Sequence, residues 1–180
     1  AFGSYSNVLI CVGKLLDLYS SKYPEDMMDE LFLIEAAITI LMQGTRFDNR
    51  VRNYFVRFLS GCIKKENLHG KFASSLDLVL DNIIMPSISW SAEDQDLISD
   101  DPLEFVNNDL TGIEDEYSLI GSIKALCRSL IDVFGMSFLT LCKARLVVQN
   151  NNLESQSCSM RLLSLIVAQD KNIDEVYIRA

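Results

Sequence analysis

Carboxylates dominate the side chains in this sequence that could act on another molecule. Between Pro86 and Ile123 stand Glu93, Asp94, Asp96, Asp100, Asp101, Glu104, Asp109, Glu114, Asp115 and Glu116, without one Lys or Arg. Pairs such as Asp94 and Asp96, or Asp100 and Asp101, are of the type used for acid and base catalysis or for Ca²⁺ ligation. Their order argues against both, because the run lacks the D-x-[DN]-x-[DN]-G pattern with a distal Glu and no second cluster converges on it. A solvated acidic loop and a recognition surface remain. Like-charge crowding is relieved when a basic partner docks, so Glu93, Asp94, Asp96, Asp100, Asp101 and Glu104 are the candidate partner-binding residues. Trp90 stands alone among serines, where its ring either packs the acidic segment onto its neighbours or serves as an interface anchor.

The other reactive side chains point to no chemistry. His69 is the single histidine, which removes a multi-histidine metal site and leaves no triad. It reads as an exposed loop residue beside Gly70. The five cysteines Cys11, Cys62, Cys127, Cys142 and Cys158 are widely spaced within apolar helical patterns and none has C-x-x-C spacing, so buried free thiols are expected. Phosphate-cradling glycine loops and a nucleophile elbow are absent from the sequence. The reading is a protein that is not an enzyme and that needs no metal or cofactor.

The net charge of −9 opposes direct binding to nucleic acid or an anionic membrane, because phosphate contacts need a basic surface. A basic protein partner suits it better. The sequence holds no apolar run of the roughly 18 residues that span a bilayer, and its first residues lack a charged n-region, so a cytosolic or nuclear setting is expected.

The elements that must position the acidic run are helical. A hydrophobic share of 49% with eight Gly and three Pro is too apolar for disorder and too poor in turn residues for a sandwich. Apolar residues recur at three and four from Tyr5 to Tyr23, at Val8, Leu9, Val12, Leu15, Leu16 and Tyr19, the period of an amphipathic helix. Tyr23-Pro24-Glu25-Asp26 makes a corner into a second helix to about Gln43, whose stripe of Met28, Leu31, Phe32, Ile34, Ala37, Ile38, Ile40 and Leu41 ends at a Gly44 cap. Asp48 caps a third helix that buries Val51, Tyr54, Phe55, Phe58, Leu59 and Cys62 and turns Arg46, Arg50, Arg52 and Arg57 to water. After a polar link from Lys64 to Gly70, Ser74 or Ser75 starts a fourth helix that stops before Pro86.

Within the acidic segment Ser91-Ala92-Glu93-Asp94 and Asp101-Pro102-Leu103-Glu104 read as two capped helix starts, with Leu97, Ile98, Leu103, Phe105 and Leu110 as anchors. Asp115 or Ser118 begins a long helix closed by Gly135. Two more helices follow, from Met136 to Val148 and from Leu153 to about Ala168. Helix pairs of about 35 to 45 residues, too apolar to stand alone, mark an all-α solenoid of HEAT or armadillo type. The expected layout is helical repeats over 1–85, an acidic insertion over 86–114 and further repeats over 115–180. Val8, Val12, Leu162 and Leu165 are expected on end faces that neighbouring repeats of a longer array would cover.

The run Ile84-Met85-Pro86, Glu93 to Asp96, Asp101-Pro102-Leu103-Glu104-Phe105-Val106 and Asp109-Leu110-Thr111-Gly112 resembles a segment of the importin-beta superfamily of nuclear transport receptors. There a helix ends in I-x-P, followed by an acidic stretch and a D-P-x-E-[FY]-[IV] turn. The likeness is greatest to the CAS-type exportins, in which a D-L-x-G element follows, and Leu18 to Tyr23 adds to it. This sequence departs from them in having Asn107 and Asn108 before that element and Glu114 to Tyr117 after it, where those exportins carry basic residues. The resemblance implies a receptor that shuttles between nucleus and cytoplasm, carries importin alpha as cargo with Ran-GTP, and meets nuclear pore proteins. It implies that the acidic insertion contacts Ran. Import receptors of the importin-7/8 type and a static HEAT scaffold are the alternatives.

Overall fold

A computed structural model describes residues 3–23, 31–43, 46–114, 117–147 and 153–167. Among them there are helices and turns and no strand. The order is α1 (Gly3–Lys22), α2 (Leu31–Met42), α3 (Asn49–Ile63), α4 (His69–Ala73), α5 (Leu76–Val79), α6 (Met85–Ile88), α7 (Ala92–Asp100), α8 (Pro102–Glu114), α9 (Leu119–Phe134), α10 (Met136–Val147) and α11 (Leu153–Val167). The array is an all-α solenoid of repeated helices. The Pro24 corner and Met28, the Gly44 cap, and everything after Val167 lie outside the described residues.

α3 is the spine, packed between α1 on one flank and α9 on the other, with α2 also against it. That position explains why it is buried almost all round, from Val51, Phe55 and Val56 to Phe58, Leu59 and Ile63. α10 and α11 close over α9, and α6 meets both α9 and α11. Burying each of these large apolar side chains contributes about 1.5–3 kcal/mol, so the α3–α9 seam holds the array together.

The capping residues sit where the sequence places them. Asp48 Oδ1 accepts from the Arg50 N–H at 2.8 Å to start α3, and Ser118 Oγ accepts from the Gly121 N–H at 2.9 Å to start α9. Gly135 ends α9 at φ +49°, a conformation that side chains with a Cβ rarely adopt. Ser75 occupies the residue before α5, but its hydroxyl donates back to the Lys71 carbonyl rather than forward into the helix.

Several expectations are corrected. The fourth helix does not stop before Pro86: Leu80–Ile84 forms one π turn and α6 continues through Pro86 to Ile88. Proline has no N–H for the residue 82 carbonyl and its ring crowds that oxygen, and widening the preceding turn removes the clash. The link after α3 is itself helical, with a 3₁₀ turn at Glu66–Leu68 and then α4. His69 opens α4, half-buried and edge-on to Phe134 at 5.9 Å, so it is not an exposed loop residue.

The first helix buries only one edge of its apolar stripe, and the other forms the outer face expected of Val8 and Val12. Val8, Val12, Leu15 and Tyr19 are exposed, and Leu9, Ile10, Gly13 and Leu16 approach α3. Cys11 shares the outer surface, unlike the four buried thiols. Phe32 is exposed on α2, whose inward residues are Ile34, Ala37 and Leu41. Leu162 and Leu165 are buried, because α11 uses them against α6, α9 and α10 and not as an end face.

Polar groups stitch these rows. Arg57 Nε meets Asp17 Oδ2 at 3.1 Å between α3 and α1, where burial raises the Asp17 carboxyl above its usual range against the pull of Arg57. Between α3 and α9, Ser60 and Ser129 share a hydroxyl contact at 3.0 Å and Ser122 Oγ donates to Asn53 Oδ1. Asn53 Nδ2 then donates to the Tyr117 carbonyl at 2.5 Å, holding the chain that leads into α9.

Candidate partner-binding site

The acidic segment folds as two helices joined at one residue. Ser91 and Asp94 form a reciprocal capping box at the start of α7: Ser91 Oγ accepts from the Asp94 N–H at 3.0 Å and Asp94 Oδ2 from the Ser91 N–H at 2.7 Å. Asp101 then closes α7 and opens α8, its Oδ1 accepting from the Glu104 N–H at 3.0 Å, with Pro102 in the first turn. Asp94 and Asp101 therefore have structural work that their spacing announced.

The remaining carboxylates do not. Glu93, Asp96, Asp100 and Glu104 are exposed, and none forms an ion pair with a described residue. The side chains of Asp109 and Glu114, and Asp115 and Glu116 altogether, lie outside the described residues. The segment is thus an ordered pair of helices carrying outward negative charge rather than a loose loop.

Three side chains pin it to the array. Trp90 is half-buried and meets Phe105 edge to face, with centroids 5.6 Å apart and planes at 79°, a favoured aromatic geometry. The Arg161 guanidinium lies 5.9 Å from the Phe105 centroid, and its Nη1 donates to the Ile88 carbonyl at 2.8 Å. Trp90 is therefore a packing residue that fastens α8 toward α6 and α11. Leu97, Ile98 and Phe105 are partly covered, as anchors should be, but Leu103 is 77% exposed and anchors nothing; the Leu110 side chain lies outside the described residues.

Behind the two acidic helices, a groove of about 680 Å³ is lined by Asn49 and Arg52 of α3, by Trp90, Ser91, Glu93 and Asp94, by Ser118 to Ile120, and by Arg161 of α11. Arg52 corrects the expectation that it faces water. It is only 5% exposed, donating through Nη2 to Ser87 Oγ at 2.6 Å and weakly through Nη1 to Asn49 Oδ1 at 3.4 Å. Its burial lowers its pKa, since desolvation disfavours the cation. Of the arginines expected to face water, Arg46 and Arg50 do, while Arg57 is half-buried on Asp17 and lies 5.4 Å from the Tyr117 ring centroid. Periodicity missed Arg52 because it assumes one buried face per helix, whereas α3 has neighbours on several sides.

No group of three or more metal-ligating side chains gathers among the described residues. Burial pushes the Cys62 thiol up to about 11 and the Cys142 thiol up to about 12, and raises Cys127 further in the same direction, which keeps these thiols protonated and inert.

The described residues form an α-helical array in which an ordered acidic helix pair, α7 and α8, stands between α6 and α9. The Cse1 family model matches residues 5–163, and the chain belongs to the Cse1 family. It is similar to the importin-alpha re-exporter of Schizosaccharomyces pombe, at 27% identity over 167 residues. That alignment takes in 87% of this chain and 17% of the yeast protein, so the chain spans about a sixth of its relative's length. No solved structure matches.

Proposed function

We propose that this chain is a stretch of a nuclear export receptor that returns importin alpha to the cytoplasm together with Ran-GTP, shuttling between the two compartments. The observation that carries this reading is the Cse1 family match across residues 5–163, which runs through both flanking arrays and the acidic helices. The name of the yeast relative supplies the cargo class. A helical solenoid of this kind works by shape and surface, so its function is binding and release rather than covalent chemistry.

The acidic helices are the Ran-facing surface. Glu93, Asp96, Asp100 and Glu104 point outward with no local partner and steer a basic face, while Asp94 and Asp101 fix the two helices and Trp90 holds them to the array. Each exposed pair is worth about 0.2–1 kcal/mol, so the four together supply on the order of 1–4 kcal/mol. The test is Ran-GTP affinity of the full-length receptor at two ionic strengths, with Glu93→Gln, Asp96→Asn, Asp100→Asn and Glu104→Gln combined. The expected result is at least a fivefold loss and a flatter salt dependence. Unchanged affinity and slope in a folded variant would make the insertion a spacer and favour a scaffold.

A further inference from the structure

The groove behind the acidic helices is lined by a buried cation that no described carboxylate pairs. Arg52 is 95% buried, and among the described residues no carboxylate lies in ion-pair range and its Nε meets no hydrogen-bond acceptor, while Nη1 and Nη2 donate to Asn49 and Ser87. A buried guanidinium ordinarily has a carboxylate partner, because desolvating the cation alone is strongly unfavourable. Helix N-termini beside Arg52 contribute positive potential, while Glu93 and Asp94 in the lining oppose it. The N-terminal ends of α3, α7 and α9 border the groove, at Asn49, Ser91 and Ser118; the first two are offset by the Asp48 and Asp94 carboxylates that cap them, and the α9 end, capped by the neutral Ser118 hydroxyl, contributes part of a positive charge. Asp94 also lines it, but that carboxylate is taken up by its capping box.

The walls limit what the anion can be. Glu93 stands in the lining and the chain carries a net charge of −9, a setting that repels a phosphate or polyphosphate and admits a singly charged carboxylate more readily. Trp90, Pro86 and Leu119 supply apolar surface in the same groove, which a free inorganic anion would leave unused. The volume of about 680 Å³ accommodates several side chains.

We propose that this groove binds an acidic peptide segment of a partner protein, placing one Asp or Glu carboxylate on the Arg52 guanidinium and a flanking apolar side chain against Trp90 and Leu119. The ligand chemistry is opposite in sign to that of the outward acidic face, so the two surfaces recognise different groups. It does not depend on the identity of the transport cargo. The carboxylate completes the pairing that Arg52 lacks, and the apolar flank covers the indole.

Trp90 is the sole tryptophan of the chain and lines the groove, so its fluorescence reports occupancy directly. The blocked heptapeptide acetyl-Gly-Ser-Leu-Glu-Leu-Ser-Gly-amide is titrated into the full chain beside its Gln counterpart and beside inorganic phosphate. The expected result is a saturable Trp90 signal at least tenfold tighter for the Glu peptide than for the Gln peptide, and absent with phosphate. Arg52→Met is expected to abolish the difference between the peptides without lowering the melting temperature, since it removes a buried charge that no described carboxylate pairs. Equal binding of the two peptides, a response to phosphate alone, or undiminished discrimination in Arg52→Met would each overturn the proposal. If Arg52→Met does not fold, the two peptides on the unaltered chain still decide it.

Discussion

Gly13 is where α1 comes closest to the spine. A Cβ built there would lie 2.8 Å from Tyr54 Cβ and 3.4 Å from the Phe55 ring. Carbon atoms in contact prefer about 3.5–4.0 Å, so Gly13→Ala forces the two helices apart by about 1 Å, and neither Tyr54 Cβ nor the buried Phe55 can yield by swinging away. Overpacking of this kind costs about 1–3 kcal/mol, against a helix-propensity gain of about 1 kcal/mol for Ala over Gly. The expected net loss is up to about 2 kcal/mol. Gly70 provides the opposite case: it lies in α4 with nothing within 4 Å of its Cβ position, so Gly70→Ala gains up to about 1 kcal/mol. Urea unfolding followed by helical circular dichroism compares the two, and with a slope of about 2 kcal/mol/M their midpoints should differ by about 0.5–1.5 M. A Gly13→Ala midpoint equal to or above that of Gly70→Ala would refute the close α1–α3 packing.

Arg145 donates to Asp81 at 2.6 and 2.7 Å and to Asp77 at 3.2 Å, and its hydrogen bonds hold the Asp81 carboxyl below the usual range. A lowered folded-state pKa gives stability that is present above the unfolded value of about 3.9 and is lost as pH falls through the folded one. Asp81→Asn should therefore lower the urea midpoint at pH 7 and converge with the parent chain below about pH 4; a constant difference across that window would contradict the pairing. Among the thiols, Cys11 alone is exposed, so iodoacetamide should label it well before the other four in the folded chain, and uniform labelling would contradict the described packing.

The sequence made the helical class and most helix starts legible because caps are local. Asp48, Ser91, Asp101 and Ser118 each act within three residues of themselves, so their spacing alone announces them. What it could not show was which face each helix turns to which neighbour. The stripe on α1 has two edges, and its period does not say that the one bearing Leu9 and Gly13 meets α3 while Val8 and Leu15 stay exposed. Arg52 was hidden for the reason that α3 has neighbours on several sides, which no period of 3.6 residues encodes. The helix through Pro86 was missed because the π turn that accommodates the ring leaves no compositional trace in Leu80–Ile84. The acidic surface was visible as a run without a cation, but the division between capping and outward carboxylates needed the folded geometry.

The most direct measurement of the export-receptor account is assembly of the full-length receptor with importin alpha in the presence and absence of Ran-GTP, followed by calorimetry or gel filtration. The expected result is a ternary complex in which Ran-GTP tightens importin alpha binding and importin alpha tightens Ran-GTP binding by the same factor, as linkage requires. Importin alpha affinity that is the same with and without Ran-GTP, or no binding of either protein, would contradict it.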